Sequence, residues 1–251
     1  MDLMTIIGLG MGLSAVYIVM LEGEILGLLY NPMAIILVFG GTFGSTLISY
    51  PFYMVKKIPK LLLFVFFPPH ISKSRYIIEE VLRLARNVKS KGVASLAEES
   101  SKDSFINSGI QMILEDISTE EMNSNLMKEI EFTRERHNRH ADIFRSMGTY
   151  SPVFGLLGTL IGVIQVMRNL TSPEVIGTAM SVAITTTFYG IFAANFIFVP
   201  VMNKLQTYSE REALAKKMAG EGLLAIQKGE GLYSIERKLE LFLSQQYRKI
   251  K

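Results

Sequence analysis

The chain has 251 residues, 49% of them hydrophobic, with 26 basic and 23 acidic side chains and a net charge of +3. So much apolarity beside so many charges indicates a membrane part and an aqueous part in one polypeptide, and the small net charge argues against nucleic acid as a partner. No cysteine is present, which excludes disulfides and thiolate metal sites.

The amino-terminal stretch MDLMTIIGLGMGLSAVYIVMLEGE lacks the basic leader and small-residue cleavage pattern of a signal peptide and reads as a retained span. Segments long and apolar enough to cross about 30 Å of hydrocarbon as helices run from Leu3 to Leu21, Met33 to Tyr50, Met147 to Met167 and Ile176 to Met202. None has an internal Asp, Glu, Lys or Arg. Glu22 and Glu24 mark the end of the first span, where Glu22 is also placed to attract cations. The connection EGEILGLLYNP has no basic residue and RNLTSPEV has only Arg168, whereas Lys56, Lys57 and Lys60 follow the second span. Arg134, Arg136, Arg139 and Arg145 precede the third span, and Lys204, Arg211, Lys216 and Lys217 follow the fourth. Since short loops rich in Lys and Arg stay in the cytoplasm, both termini and the middle section are expected there.

The expected architecture is an all-α integral membrane protein. Residues 1–50 form a first transmembrane pair, 51–146 a cytoplasmic helical domain, 147–202 a second pair and 203–251 a cytoplasmic helical tail. Within the middle section, IPKLLLFVFFPP at 58–69 is too short to cross and is placed at the inner interface. SRYIIEEVLRLARNVKSKG sets Ile77, Ile78, Val81, Leu82, Ala85 and Val88 on one stripe, and Gly92 supplies a stop. A helix from Asp103 to Asp116 follows, then Ser118 and Glu121 at capping-box spacing. From there the sequence has few breakers, so one helix is expected to enter the membrane as a rigid lever. Beyond the fourth span come a polar helix and two amphipathic pieces separated by Gly229 and Gly231.

At helical spacing Gly155, Gly158, Thr159 and Gly162 share one face of the third span. The fourth carries Ala183, Thr186, Thr187, Gly190 and Ala194 along one stripe. Small residues let helices approach closely in lipid. Two readings stay open: packing within one subunit, or a groove that receives a foreign helix and lines an ion path. Ion transport usually needs a carboxylate in the bundle interior, and these spans offer only hydroxyls and carbonyls, so a titrating acid would belong to another polypeptide. Pro152 and Pro200 each free a carbonyl four residues upstream, at Gly148 and Phe196, and permit a bend. His137 and His140 are at metal-compatible spacing, but no acid cluster completes a site, and His70 beside two prolines is uninformative. Neither a Walker-type loop nor a nucleophile elbow occurs, so no enzymatic activity is expected.

SPVFGLLGTLIGVIQ, TTTFYGIFAANFIFVPV and EGLLAIQKGEGLYSIERKL resemble the MotA and PomA stator subunits of the bacterial flagellar motor, a resemblance that covers almost the whole chain. It implies a ring of about five copies around a MotB-type dimer, each of whose single spans carries the ion-binding aspartate and which is anchored to the cell wall. It further implies location in the inner membrane among lipid, no cofactor beyond the transported proton or sodium ion, and a cytoplasmic domain that pushes on the rotor protein FliG. Pro152 and Pro200 match two prolines treated as functional in the family. Thr159, Thr186 and Thr187, with Gly155, Gly158, Gly162, Ala183 and Gly190, are the expected ion-path lining. Threonine at the position of Thr159 leans toward sodium-driven members, while the partner also contributes to ion choice. The family's rotor-facing arginine falls on Lys89 and its glutamate on Ala97, with Glu98 and Glu99 directly after. Arg86, Lys89, Lys91, Glu98 and Glu99 are therefore the expected rotor contacts. The alternatives are an energiser resembling ExbB or TolQ, which the two amino-terminal spans disfavour, and a non-conducting membrane scaffold.

Overall fold

The computed structural model describes residues 3–23, 26–67 and 74–248; Glu24, Pro68, Pro69 and His70 lie outside them. Every regular element among the described residues is helical. Helix α1 spans Leu3–Glu22 and α2 Pro32–Ser49. Next come α3, Ile58–Phe66, α4, Ser74–Lys91, and α5, Ser104–Leu114. Helix α6 runs from Thr119 to Arg168, α7 from Pro173 to Gln227, and α8 covers Leu232–Glu240. Four of these, α1, α2, α6 and α7, are long and apolar enough to cross a membrane.

Local chemistry accounts for the ends. Asn31 accepts from the Ala34 N–H at 3.2 Å, and Pro32 opens α2 where no N–H is needed. Asp103 caps α5 by accepting from the Phe105 N–H at 2.9 Å. Ser118 accepts from the Glu121 N–H at 3.3 Å, the expected cap of α6. Gly92 ends α4 at φ 82°, a backbone region that L side chains rarely adopt. With 50 residues, α6 is unbroken as expected and about 75 Å long. The fourth span also continues without interruption into its polar extension, whereas the sequence suggested separate pieces up to Gly229. No breaker separates them, and Pro200 is absorbed just after a π-wound stretch, Ala194–Phe198. A second π stretch, Ile36–Gly40, lies in α2.

The chain divides into two compact units, Met1–Pro69 with Asn138–Gln206, and His70–His137 with Thr207–Lys251. In the first, Met54, Ile58 and Val65 pack with Ala141, Phe144, Met147, Phe198 and Val201. Residues 51–67 and 138–146 thus fall in the compact unit that holds the membrane helices. Their apolar faces are too short to span, yet they are buried against the bases of α6 and α7. Tyr50 reinforces this: its hydroxyl donates to the Asp142 carbonyl at 2.9 Å and lies 2.7 Å from Ser146 Oγ. In the second unit, Ile77, Ile78, Val81, Leu84 and Ala85 of α4 share a core with Phe105, Leu126, Leu223, Ile235 and Leu239. The tail is therefore part of the same domain as the central block, not an appendage.

Candidate functional site

The small residues of α6 and α7 meet each other. A methyl group placed on Gly155 would sit 2.9 Å from the Thr186 carbonyl, and one on Gly162 would sit 2.7 Å from the Ala179 carbonyl and 2.6 Å from Ala183 Cβ. At Gly190 the obstacles are all backbone: Ser151 O at 2.5 Å, with the Gly155 and Pro152 Cα atoms at 3.1 Å. Gly158 would contact the Thr186 side chain at 2.4 Å. Backbones this close gain dispersion contacts that lipid cannot supply, which is what glycine achieves in a membrane helix. Of the expected ion-path residues, Gly155, Gly158, Gly162, Ala183, Thr186 and Gly190 are buried in this seam within one chain. For them, of the two readings the sequence left open, packing within the subunit is the role visible here.

Thr159 and Thr187 differ. Both are half-buried, and their hydroxyl oxygens lie 2.5 Å apart at the seam's edge. Around them the Gly155 carbonyl is 3.2 Å from Thr159 Oγ1 and 3.4 Å from Thr187 Oγ1, and the Ala183 carbonyl is 3.3 Å from each. The result is a compact group of uncharged oxygens, suited to exchange hydrogen bonds or to ligate a weakly held cation, with no group of its own that would bind one tightly. The opposite side of α6 presents Val153, Leu156, Leu160 and Ile164 outward from the chain.

Ser151, which the sequence reading passed over, is fully buried and donates from its hydroxyl to the Gly190 carbonyl at 3.0 Å. Its position four residues before Gly155 extends the small-residue stripe and could have marked it. Next to it, Pro152 lies inside α6 against Gly190. Pro200 follows the π stretch, where its missing N–H leaves a carbonyl free for altered winding. Gly148, four residues before Pro152, packs against the residue before Pro200: a methyl added to it would meet Val199 Cγ2 at 3.2 Å.

The charged candidates lie in the second unit. Arg86, Lys89, Lys91 and Glu98 are exposed. Glu99 is less so, because its carboxylate accepts from Arg83 and Asn87. The Arg83 hydrogen bond, opposed by partial burial, holds that carboxyl below its ordinary range, with Asn87 and Lys91 adding smaller contributions. His137 lies 3.7 Å from Glu212, and His140 Nε2 lies 3.3 Å from Lys57 Nζ, so the two imidazoles have separate partners. Among the described residues no His, Asp and Glu cluster could hold a metal.

Residues 97–218 match the MotA/TolQ/ExbB proton channel family. Motility protein A of Borreliella burgdorferi is 34% identical over 97% of this chain and 95% of its own length. Chemotaxis protein PomA of Vibrio alginolyticus is 29% identical over 98% of this chain and 96% of its own length. The flagellar MotAB stator complex of Bacillus subtilis contains a chain of the same fold, with TM-score 0.88 and 29% identity, covering 99% of this chain and 97% of that one.

Proposed function

Because this chain belongs to the motility protein A family of flagellar motor stator subunits, we propose that α6 and α7 are an uncharged wall past which ions move while a MotB-type partner supplies the titrating carboxylate. The observation that carries this reading is the Thr159 and Thr187 hydroxyl pair at the edge of a glycine-locked, charge-free seam. Gly155, Gly158, Gly162, Ala183, Thr186 and Gly190 fix the distance between the spans, and the two half-buried hydroxyls face the passing ion. Pro152 and Pro200 permit the wall to bend as the carboxylate changes charge. The chain sits in the inner membrane with both termini cytoplasmic, since the basic residues follow the second span, precede the third and follow the fourth, while the two short connections on the other side have only Arg168. Copies of it close a ring around the partner, and the second unit pushes on the rotor protein FliG. The transmembrane field supplies about 2.3 kcal/mol per charge per 100 mV for this work.

Swimming by cells that lack their own stators, complemented with this chain and its MotB-type partner, tests the reading. Complementation that collapses on removal of sodium identifies the sodium-driven form to which Thr159 leans. Collapse with a protonophore in the presence of sodium identifies the proton-driven form. Swimming indifferent to both treatments rules out ion-driven torque through this complex.

A further inference from the structure

The segment after α4 is anchored at two points with a short exposed tip between them. Gly92 turns the chain out of the helix, its N–H donating to the Val88 carbonyl at 2.9 Å. A 3₁₀ segment, Val93–Glu98, follows. Leu96, only 1% exposed, plugs into the core beside α4. Three residues later Glu99 is gripped by Arg83 and Asn87, which are one helical turn apart on α4. Arg83 is itself fixed from its other side by Glu80, at 3.0 and 3.2 Å. Only Ala97 and Glu98 lie between the two anchors, and both are exposed.

This arrangement separates two acids that the sequence treats alike. Engaging Glu99 with a rotor protein would require breaking a charge-assisted contact to a guanidinium, which is among the stronger hydrogen bonds a protein makes. Glu98 needs no such exchange: it stands on the tip, next to the last turns of α4 that carry the exposed Arg86, Lys89 and Lys91. In a 3₁₀ segment the backbone advances three residues per turn and its direction is fixed by few bonds, so the outer anchor decides where the tip points. We propose that Arg83 is a positioning residue which, by holding Glu99 together with Asn87, sets the Val93–Glu98 tip so that Glu98 is the acid presented to the rotor. Glu99 is a structural acid and takes no part in the rotor contact. The assignment rests on the stator reading above.

The test uses the full chain with its MotB-type partner. In stator-less cells, Glu98→Gln is expected to lower torque-generating recruitment roughly fivefold, the effect of losing one partly exposed interfacial charge. Arg83→Glu is expected to lower it as well. Combining Arg83→Glu and Glu99→Arg with Glu80→Gln, which removes the like-charged neighbour the swap would create, restores the clamp with reversed polarity and is expected to recover wild-type recruitment to within about twofold. Combining Arg83→Glu with Glu98→Arg should give no recovery. Ion flux through each complex should be unchanged, because the substitutions lie outside the spans.

Hydrogen exchange on the purified complexes reports the positioning independently of motility. Arg83→Gln should accelerate exchange at 93–98 about tenfold, and the charge-swapped pair with Glu80→Gln should restore protection. Equal protection of 93–98 in wild type and Arg83→Gln overturns the positioning role, as does wild-type recruitment by Glu98→Gln. A wild-type complex that neither conducts nor drives rotation refutes the stator reading, while the exchange result still decides whether Arg83 holds the tip.

Discussion

Adding one methyl group at Gly190 probes the seam between α6 and α7. The new Cβ would stand 2.5 Å from the Ser151 carbonyl and 3.1 Å from the Cα atoms of Gly155 and Pro152. These are backbone atoms of a continuous helix, so no side-chain rotation relieves the clash and the spans must separate. Overpacking of this kind costs about 1–3 kcal/mol, against roughly 1 kcal/mol regained from replacing glycine by alanine within a helix. Separation also stretches the Ser151 to Gly190 hydrogen bond, 3.0 Å long, and the Thr159 to Thr187 pair at 2.5 Å, each worth about 0.6 kcal/mol between membrane helices. The net expectation is a loss of about 1–3 kcal/mol, read as a melting temperature several degrees lower for the purified complex in detergent. Gly177→Ala is the control, since nothing lies within 4 Å of its added methyl, and it should be neutral or slightly stabilising. A Gly190→Ala complex as stable as wild type would show that the seam is not as close as its glycines imply.

Two further expectations follow from the second unit. Leu239→Ala empties a fully buried position of α8 and should cost about 2–5 kcal/mol, destabilising the whole unit. Protease that releases only the tail, leaving 74–137 as resistant as before, would contradict a shared core. His137 is held below its ordinary value first by burial, partly opposed by Glu212, with Arg136 and Lys216 adding to the depression. Its folded value is thus lower than its unfolded one, and the unfolded chain binds the proton more readily. The stabilisation is complete above about pH 6.5 and is lost as pH falls toward the depressed folded value. Melting temperatures at pH 7.5 and 5.5 should differ less for His137→Asn than for wild type; equal differences would remove the assignment.

Hydrophobic period made much of this fold legible. Ile77, Ile78, Val81 and Ala85 lie on one stripe in the sequence and are buried in the structure. Leu84, seven residues after Ile77 and three after Val81, lies on the same stripe and is fully buried where α4 packs against the 93–98 turn and α8. The glycines of α6 announce close approach, yet a small-residue spacing is the same whether the second helix belongs to the same chain or to another. Only coordinates show that Gly155 meets Thr186. The π stretches are harder still. Hydrogen-bond register is not written in residue type; Pro200 hints at one stretch, and nothing comparable marks Ile36–Gly40. The packing partner of 58–66 was illegible for a related reason, since an amphipathic segment carries an apolar face without revealing which core receives it. The charged site was legible as a cluster, but Glu98 and Glu99 became distinct only when Arg83 and Asn87 were seen to hold the second.

The most direct test of the uncharged-wall account is ion flux into vesicles containing this chain, with and without its MotB-type partner, for wild type, Thr187→Leu and Ile164→Ala. Conduction is expected only with the partner, with a loss of about tenfold for Thr187→Leu, the size expected when a barrier rises by about 1.4 kcal/mol, and little change at Ile164, which is 60% exposed on the side of α6 away from the seam. Equal conduction by the chain alone, or by Thr187→Leu with the partner, would contradict it.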